Sequence, residues 1–379
     1  MARSKKVILF VVNSTEFFLS HRLPIAVAAK KMGFDVHIAS STGKGVKQIT
    51  DSGFTFHHVS FSRSGQNVLR ELQCFLCLTK LFIKLSPDLV HLITIKPVLY
   101  GSIVARLVGV KSVVCAISGL GTVFQNTNIF ARIRRWIVCK LYKSAFKHPN
   151  LAVIFQNPDD KNLLLNVRAL TAEQTRIIRG SGVSLSSYPY IKEPEGVPVV
   201  VMAARLLRDK GVFEYVEAAR ILKKRCVSID IRLIGDIDLG NPTSINNDIL
   251  NEWENENIIN VYGFRSDIAT QYSNANIVCL PSYREGLPKS LIEAAACGRA
   301  VITTDVPGCR DAIVAGETGI LVPVKDPLAL ADAINWLIDT PEQRRKMGKA
   351  GRLLAENEFN IENVIDKHMT IYQELIRNV

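Results

Sequence analysis

Six short apolar runs rich in β-branched residues, Val7 to Val12, Val36 to Ala39, Phe54 to Val59, Leu89 to Ile93, Val113 to Ile117 and Leu151 to Phe155, alternate with longer stretches of helical periodicity. Strands that alternate with helices need crossover connections, so the rhythm predicts βαβ units and a parallel sheet. A second series follows the Pro/Gly-rich stretch Tyr188 to Pro198: Val199 to Ala203, Ile229 to Ile234, Ile277 to Leu280 and Ala300 to Thr303. Two doubly wound α/β domains joined near residue 190 are expected, as is usual for a chain of 379 residues.

Charge divides at the same place. Residues 1–183 hold 25 Lys and Arg against 8 Asp and Glu, a formal +17 in a chain whose total is +12, so the remainder carries −5. A basic half of that size calls for an anionic partner: nucleic acid, anionic lipid or a phosphorylated substrate. No nucleic-acid-binding module or repeated aromatic platform is apparent, so nucleic acid is not expected. The segment from Ala131 to Lys147 favours lipid. It carries Arg132, Arg134, Arg135, Trp136, Lys140 and Lys143 at helical spacing, with Ile133, Ile137, Val138 and Leu141 between them. Such a helix suits an anionic membrane surface, although a solvated basic face on an ordinary surface helix has the same pattern.

Apolar residues make up 47% and charged residues 22%, which excludes a disordered chain and a small disulfide-stapled one. The eight cysteines are scattered, mostly in apolar runs, as buried thiols of a reducing compartment are. A cytoplasmic protein, peripheral on the inner face of the membrane, is expected. The apolar run after Lys6 is too short for a signal peptide, and Leu69 to Leu85 is interrupted by Lys80 and Lys84, so it reads as a buried helix rather than a span, with a second membrane contact as the alternative. Cys74 and Cys77 lie within that helix, where a redox or zinc role is not expected.

The stretch richest in chemistry runs from Leu280 through Arg284, Glu285, Gly286, Leu287, Pro288 and Glu293 to Gly308. A buried strand ends at Pro281, a turn follows, and a helix opens beside a proline whose missing N–H costs little there. The N–H groups of such a turn and helix start face what lies beyond the strand's carboxyl end, an arrangement that binds phosphate. Glu285 precedes the helix and Glu293 sits two turns along it, so the two suit separate roles rather than a shared proton. Each also has an ordinary reading, Glu285 as a partner of the helix dipole and Glu293 as a solvated helix residue. Upstream, Arg205 and Lys210 follow the first strand of the second domain, a fork and a point charge able to clamp a diphosphate.

Taken in order, Arg205 to Lys210, Gly235-Asp236, the stretch Gly263 to Asp267, Glu285 to Glu293 and Gly298 resemble the retaining glycosyltransferases of family 4. The resemblance extends from Val7 to about Tyr372. It implies the GT-B fold: two facing Rossmann-like domains with a cleft between them, 1–187 on the acceptor side and 188–358 for the nucleotide sugar, with 359–379 a helix returning to the first. Through Ser20 to Pro24, Ser118 to Phe124, Gly180 to Val183 and Asp238 to Pro242, the chain resembles the members that extend sugars on undecaprenyl diphosphate for capsule, O-antigen or glycan assembly.

The resemblance carries roles with it. Arg205 and Lys210 would neutralise the donor diphosphate, Gly286 and Leu287 would add backbone donors to it, and Glu293 would hold the ribose hydroxyls. Glu285 would face the donor sugar, and Gly263, Phe264 and Arg265, with Gly235 nearby, would form the loop beside the base. Such enzymes generally work without a bound metal, so no metal and no cofactor beyond a UDP-sugar co-substrate is expected. The acceptor would be a lipid-linked saccharide, with His21, Arg22, Lys96, Gly119 and Gly121 as contacts to it or to phosphate. Many relatives carry a histidine where this chain has Ile93, and His91 reads as a packed core residue instead. The alternatives are a UDP-sugar epimerase of the same fold and a transferase using a different nucleotide donor.

Overall fold

The computed structural model describes residues 5–61, 68–120, 129–238, 240–241 and 243–378. It divides into two compact units, one of Met1–Ser181 with Glu362–Val379 and one of Gly182–Ile361.

The first unit is built on a seven-stranded parallel sheet. Its strands are β1 (Val7–Val11), β2 (Asp35–Ser40), β3 (Thr55–His58), β4 (Leu89–Ile93), β5 (Ser112–Ile117), β6 (Leu151–Phe155) and β7 (Thr175–Ile177), in the order β3-β2-β1-β4-β5-β6-β7. β1, β4, β5 and β6 are buried along their whole length, which explains why they read as unbroken apolar runs. Local signals set the helix starts. Asn157 caps the Pro158–Asn166 helix, its side chain accepting from Asp160 N at 2.8 Å, with Pro158 at the first helical position.

The Val68–Leu85 helix departs from expectation. Cys74, Leu78 and Phe82 face the core, but Leu69, Leu72, Leu76 and Ile83 stand on the surface, Leu69 at 70% exposure and Ile83 at 62%. The run is apolar because both faces are, and among the described residues only one of them packs on the core. The Ile129–Ala145 helix lies on the same side of the sheet, and the Ser102–Leu107 helix packs against both.

The last helix, Ile361–Arg377, belongs to the first unit and buries Val364, His368, Met369, Ile371, Tyr372 and Leu375 there. His91 of β4 is fully buried beneath it, its Nδ1 2.5 Å from the Tyr372 hydroxyl and its ring tilted against His368 and Phe10. It is the core histidine its apolar strand suggested. The helix end is fixed by the Leu375 carbonyl, which accepts from Asn150 Nδ2 at 2.8 Å and Ser112 Oγ at 3.2 Å.

The second unit carries a six-stranded parallel sheet of β8 (Val199–Ala203), β9 (Asp230–Ile234), β10 (Asn260–Val261), β11 (Ile277–Leu280), β12 (Ala300–Thr304) and β13 (Gly319–Val322), ordered β10-β9-β8-β11-β12-β13. The order reverses beside β8, where β9 lies on one side and β11 on the other. Ligands of open α/β sheets bind at such a point, beyond the carboxyl ends of the strands.

Candidate functional site

At the carboxyl end of β8 the chain turns through Arg208–Lys210 and enters the Val212–Lys224 helix, while β11 delivers Pro281 to Glu285 alongside. Backbone bonds stitch the two loops together. Tyr283 N donates to Asp209 O at 2.9 Å, and the Ser282 hydroxyl lies 3.0 Å from the same carbonyl and 2.8 Å from Glu285 Oε1. Gly211 makes the approach possible: its φ is +76°, and a Cβ there would overlap the Pro281 carbonyl.

This stitching brings Lys210 onto Glu285. The ammonium binds Glu285 Oε1, and both side chains are more than four-fifths buried. Neutralising either partner alone would leave a charge in a poorly solvated place, at a cost of about 3–5 kcal/mol for a fully buried pair. Arg205 is the more open cation, 62% exposed, with Nη1 3.1 Å from Asp238 Oδ2. Arg205 and Lys210 are thus each answered by a carboxylate. An entering diphosphate would compete with Glu285 and Asp238 for them rather than meet uncompensated charge.

Glu293 lies on the Lys289–Ala296 helix and is only 7% exposed, so it is not a solvated helix residue. Its Oε1 accepts from the Tyr188 hydroxyl at 2.6 Å and lies 3.2 Å from Lys289 Nζ. Gly286 and Leu287 are buried in the turn before this helix, whose first bond to Pro288 O comes only from Leu291 N, so the N–H groups of Lys289 and Ser290 precede the helical ladder. At the ends of β9 and β10, Gly235 N donates to Gly263 O at 2.9 Å, and Phe264 N donates to Asp236 Oδ1 at 3.1 Å. The Phe264 side chain is 72% exposed beside them. Arg265 forks onto Asp267 at 2.8 and 2.9 Å, and that guanidinium holds the carboxyl well below the usual carboxylate range.

In the first unit the candidates are more dispersed. Arg22 is 2% exposed; Nη1 donates to His21 O at 3.0 Å, Nη2 reaches Ser118 Oγ at 3.4 Å, and burial pushes its pKa down to about 10. His21 stacks on Phe17 with centroids 4.1 Å apart. Lys96 is tied to Glu71 at 2.7 Å, an oxygen pair completed by Tyr100. Gly119 follows β5 with φ +109°, and Gly121 lies outside the described residues. On the Ile129–Ala145 helix, Arg132, Arg134, Arg135 and Trp136 are exposed, Trp136 at 63%, and Lys140 sits 5.5 Å from the Trp136 ring centroid. Arg132, Arg135, Trp136, Lys140 and Lys143 line one shallow depression.

Sequence reasoning brought together Arg205, Lys210, Glu285 and Glu293 but missed Tyr188, Ser282 and Asp209. Tyr188 stood in a stretch read as linker, and nothing in its neighbours signals a partner 105 residues away.

Comparison with known proteins bears on both units. Residues 7–157 match the family model described as "Glycosyl transferase 4-like", and residues 189–354 match "Glycosyl transferases group 1". The chain is 28% identical, over 96% of its own length and 99% of the relative's, to the N,N'-diacetylbacillosaminyl-diphospho-undecaprenol alpha-1,3-N-acetylgalactosaminyltransferase of Campylobacter jejuni. It is 24% identical, over 91% of its length and 90% of the relative's, to the UDP-Gal:alpha-D-GlcNAc-diphosphoundecaprenol alpha-1,3-galactosyltransferase of Escherichia coli. Among solved structures, sucrose-phosphate synthase from Thermosynechococcus elongatus superposes with a TM-score of 0.83 at 20% identity, covering 99% of this chain and 100% of that one. Anabaena HepE in complex with UDP and glucose superposes at 0.77 with 16% identity, covering 97% and 99%. These two likenesses place the fold among GT-B proteins. With a glycosyltransferase model matching each of its two sheets, and relatives alike nearly end to end, the chain belongs to the glycosyltransferases of family 4.

Proposed function

We propose that the protein transfers an N-acetylhexosamine from its UDP derivative to a polyprenyl-diphosphate-linked saccharide in the assembly of a cell-surface polysaccharide or glycan, with retention at the anomeric carbon and without a metal. The observation that carries this reading is the convergence of Arg205, Lys210 and Glu285 at the reversal point of the second sheet. The two relatives named above are transferases whose names specify undecaprenyl-diphosphate-linked saccharides.

In this reading the donor diphosphate takes Lys210 and Arg205 as partners, with the turn at Gly286 and Leu287 adding backbone donors. Glu285, released from Lys210, then faces the donor sugar. Glu293 holds the ribose, and the loop of Gly263, Phe264 and Arg265 lies beside the base. The acceptor oxygen bonds to the anomeric carbon on the face from which the diphosphate leaves, and its proton passes to the departing phosphate oxygen. The side chains contribute chiefly by stabilising the charge that develops on the diphosphate and on the sugar ring.

Among the described residues no helix is long and apolar enough to cross a membrane. The acceptor is met instead at an anionic surface by two helices of the first unit: Ile129–Ala145, with its cations, Ile133, Trp136 and Ile137, and Val68–Leu85, with Leu69, Leu72, Leu76 and Ile83. Cations beside exposed apolar side chains support this placement.

Thermal shifts with UDP, GDP, ADP and dTDP, each with and without EDTA, test the donor. The reading expects a selective rise with UDP that EDTA leaves in place, about 2.7 kcal/mol at roughly 100 times the dissociation constant. In turnover assays on a lipid-linked acceptor, Glu285→Ala should cut the rate while sparing UDP affinity, and Arg205→Ala should weaken UDP. The opposite pattern would exchange their roles, and a rise confined to another nucleotide would overturn the UDP assignment.

A further inference from the structure

We propose that Tyr188 is a positioning residue for Glu293 and, through it, sets how strongly the site prefers a nucleotide with ribose hydroxyls over one without them. The proposal rests on the reading of Glu293 as the ribose contact.

Three observations carry it. First, the Tyr188 hydroxyl donates to Glu293 Oε1 at 2.6 Å, and Lys289 Nζ sits 3.2 Å from the same oxygen. Both contacts fall on Oε1 and neither on Oε2, so the carboxylate is turned to one orientation with one oxygen occupied. Second, the tyrosine is itself fixed. Its carbonyl accepts from Arg352 Nη1 at 2.8 Å, the same nitrogen donates at 2.7 Å to Ala296 O, and Ala296 ends the helix that carries Glu293. Donor and acceptor of the 2.6 Å bond are therefore braced on one frame. Third, burial and the neighbouring carboxylate push the Tyr188 phenol up, so it remains a protonated donor and Glu293 the acceptor.

A carboxylate that binds a pair of ribose hydroxyls must present its free oxygen in one direction. Without Tyr188, only Lys289 would hold it, from its own helix one turn away, and the side chain would be free to rotate about its terminal torsion. The loss should appear in recognition of the ribose hydroxyls and leave base and diphosphate contacts alone.

The test compares UDP with 2′,3′-dideoxyuridine diphosphate on the full chain, using dissociation constants from calorimetry for the parent, Tyr188→Phe and Glu293→Gln. Tyr188→Phe should weaken UDP about tenfold and the dideoxy analogue hardly at all, narrowing the ratio between them, with melting close to the parent's. A tyrosine that merely filled space would weaken both equally or neither, and either result overturns the proposal. Glu293→Gln separates the two layers of argument. If it collapses the ratio and Tyr188→Phe does not, the role of Tyr188 alone falls. If Glu293→Gln leaves the ratio intact, or the parent binds UDP and the analogue alike, the ribose assignment falls and the proposal with it.

Discussion

Replacing Gly211 by alanine tests whether the two loops of the candidate site depend on one close approach. Gly211 sits at φ +76°, where an added Cβ would overlap the Pro281 carbonyl oxygen and lie 2.7 Å from its carbon. Two costs add. The left-handed conformation is about 1–2 kcal/mol worse for an L-residue than for glycine. The overlap must be relieved by moving backbone rather than a flexible side-chain end, and forced overpacking of this sort costs roughly 1–3 kcal/mol. Gly316 supplies the control, because its φ is +79° and nothing lies within 4 Å of its built Cβ. Gly316→Ala should therefore lose only the conformational part, and Gly211→Ala should exceed it by about 1–3 kcal/mol in urea unfolding of the full chain. Retreat of Pro281 also displaces the Gly286 and Leu287 backbone donors from Lys210, so UDP affinity should fall in Gly211→Ala and stay unchanged in Gly316→Ala. Equal destabilisation of the two variants, or an unchanged UDP affinity in Gly211→Ala, would refute the argument.

Two further outcomes follow from the first unit. Burial pushes His91 well below its ordinary pKa and His368 down to about 3, so as pH falls below about 6.5, for His368 as far as about 3, the unfolded chain binds protons there that the folded one does not. Stability should accordingly fall as pH drops through that window, by about 1.4 kcal/mol per pH unit for each histidine; urea midpoints that stay level from pH 6.5 to 5 would contradict this. Ending the chain after Ile361 removes Tyr372 from His91 and uncovers the apolar surface now under the last helix. Calorimetry should then lose the unfolding transition of the first unit and keep that of Gly182–Ile361, and two intact transitions would show that the helix is dispensable.

Most strands readable in the sequence, such as Val113 to Ile117, are buried on both faces, because an uninterrupted apolar run is the direct imprint of a covered parallel strand; the edge strand β3, with Thr55 and His58 exposed, is an exception. β7, β10 and β13 left no such imprint. β7 and β10 are short, partly exposed edge strands, and β13 opens on a glycine whose Cβ would overlap the Val301 carbonyl. The same distinction holds at the site. Arg205, Lys210, Glu285 and Glu293 stand near strand ends in stretches with recognisable turn chemistry. Tyr188, Asp209 and Ser282 act through contacts made only once β8, β11 and the preceding segment are side by side, and no local pattern encodes those. Helix Val68–Leu85 misled for a third reason: apolar character tells that a face avoids water, not what covers it.

The last helix completes a unit whose other residues lie on the far side of an entire second unit in the chain. Synthesis therefore cannot finish the two in the order in which they begin. When residue 361 has cleared the ribosome, every residue of the second unit is out, and Val183 can donate to Phe359 O and accept from Ile361 N. The first unit, begun earlier, still lacks the helix that closes over His91. Domains ordinarily fold in turn from the amino end as they emerge. Here the first unit to begin is the last to close, and the part of its sheet around His91 stays uncovered until the Ile361–Arg377 helix has been made.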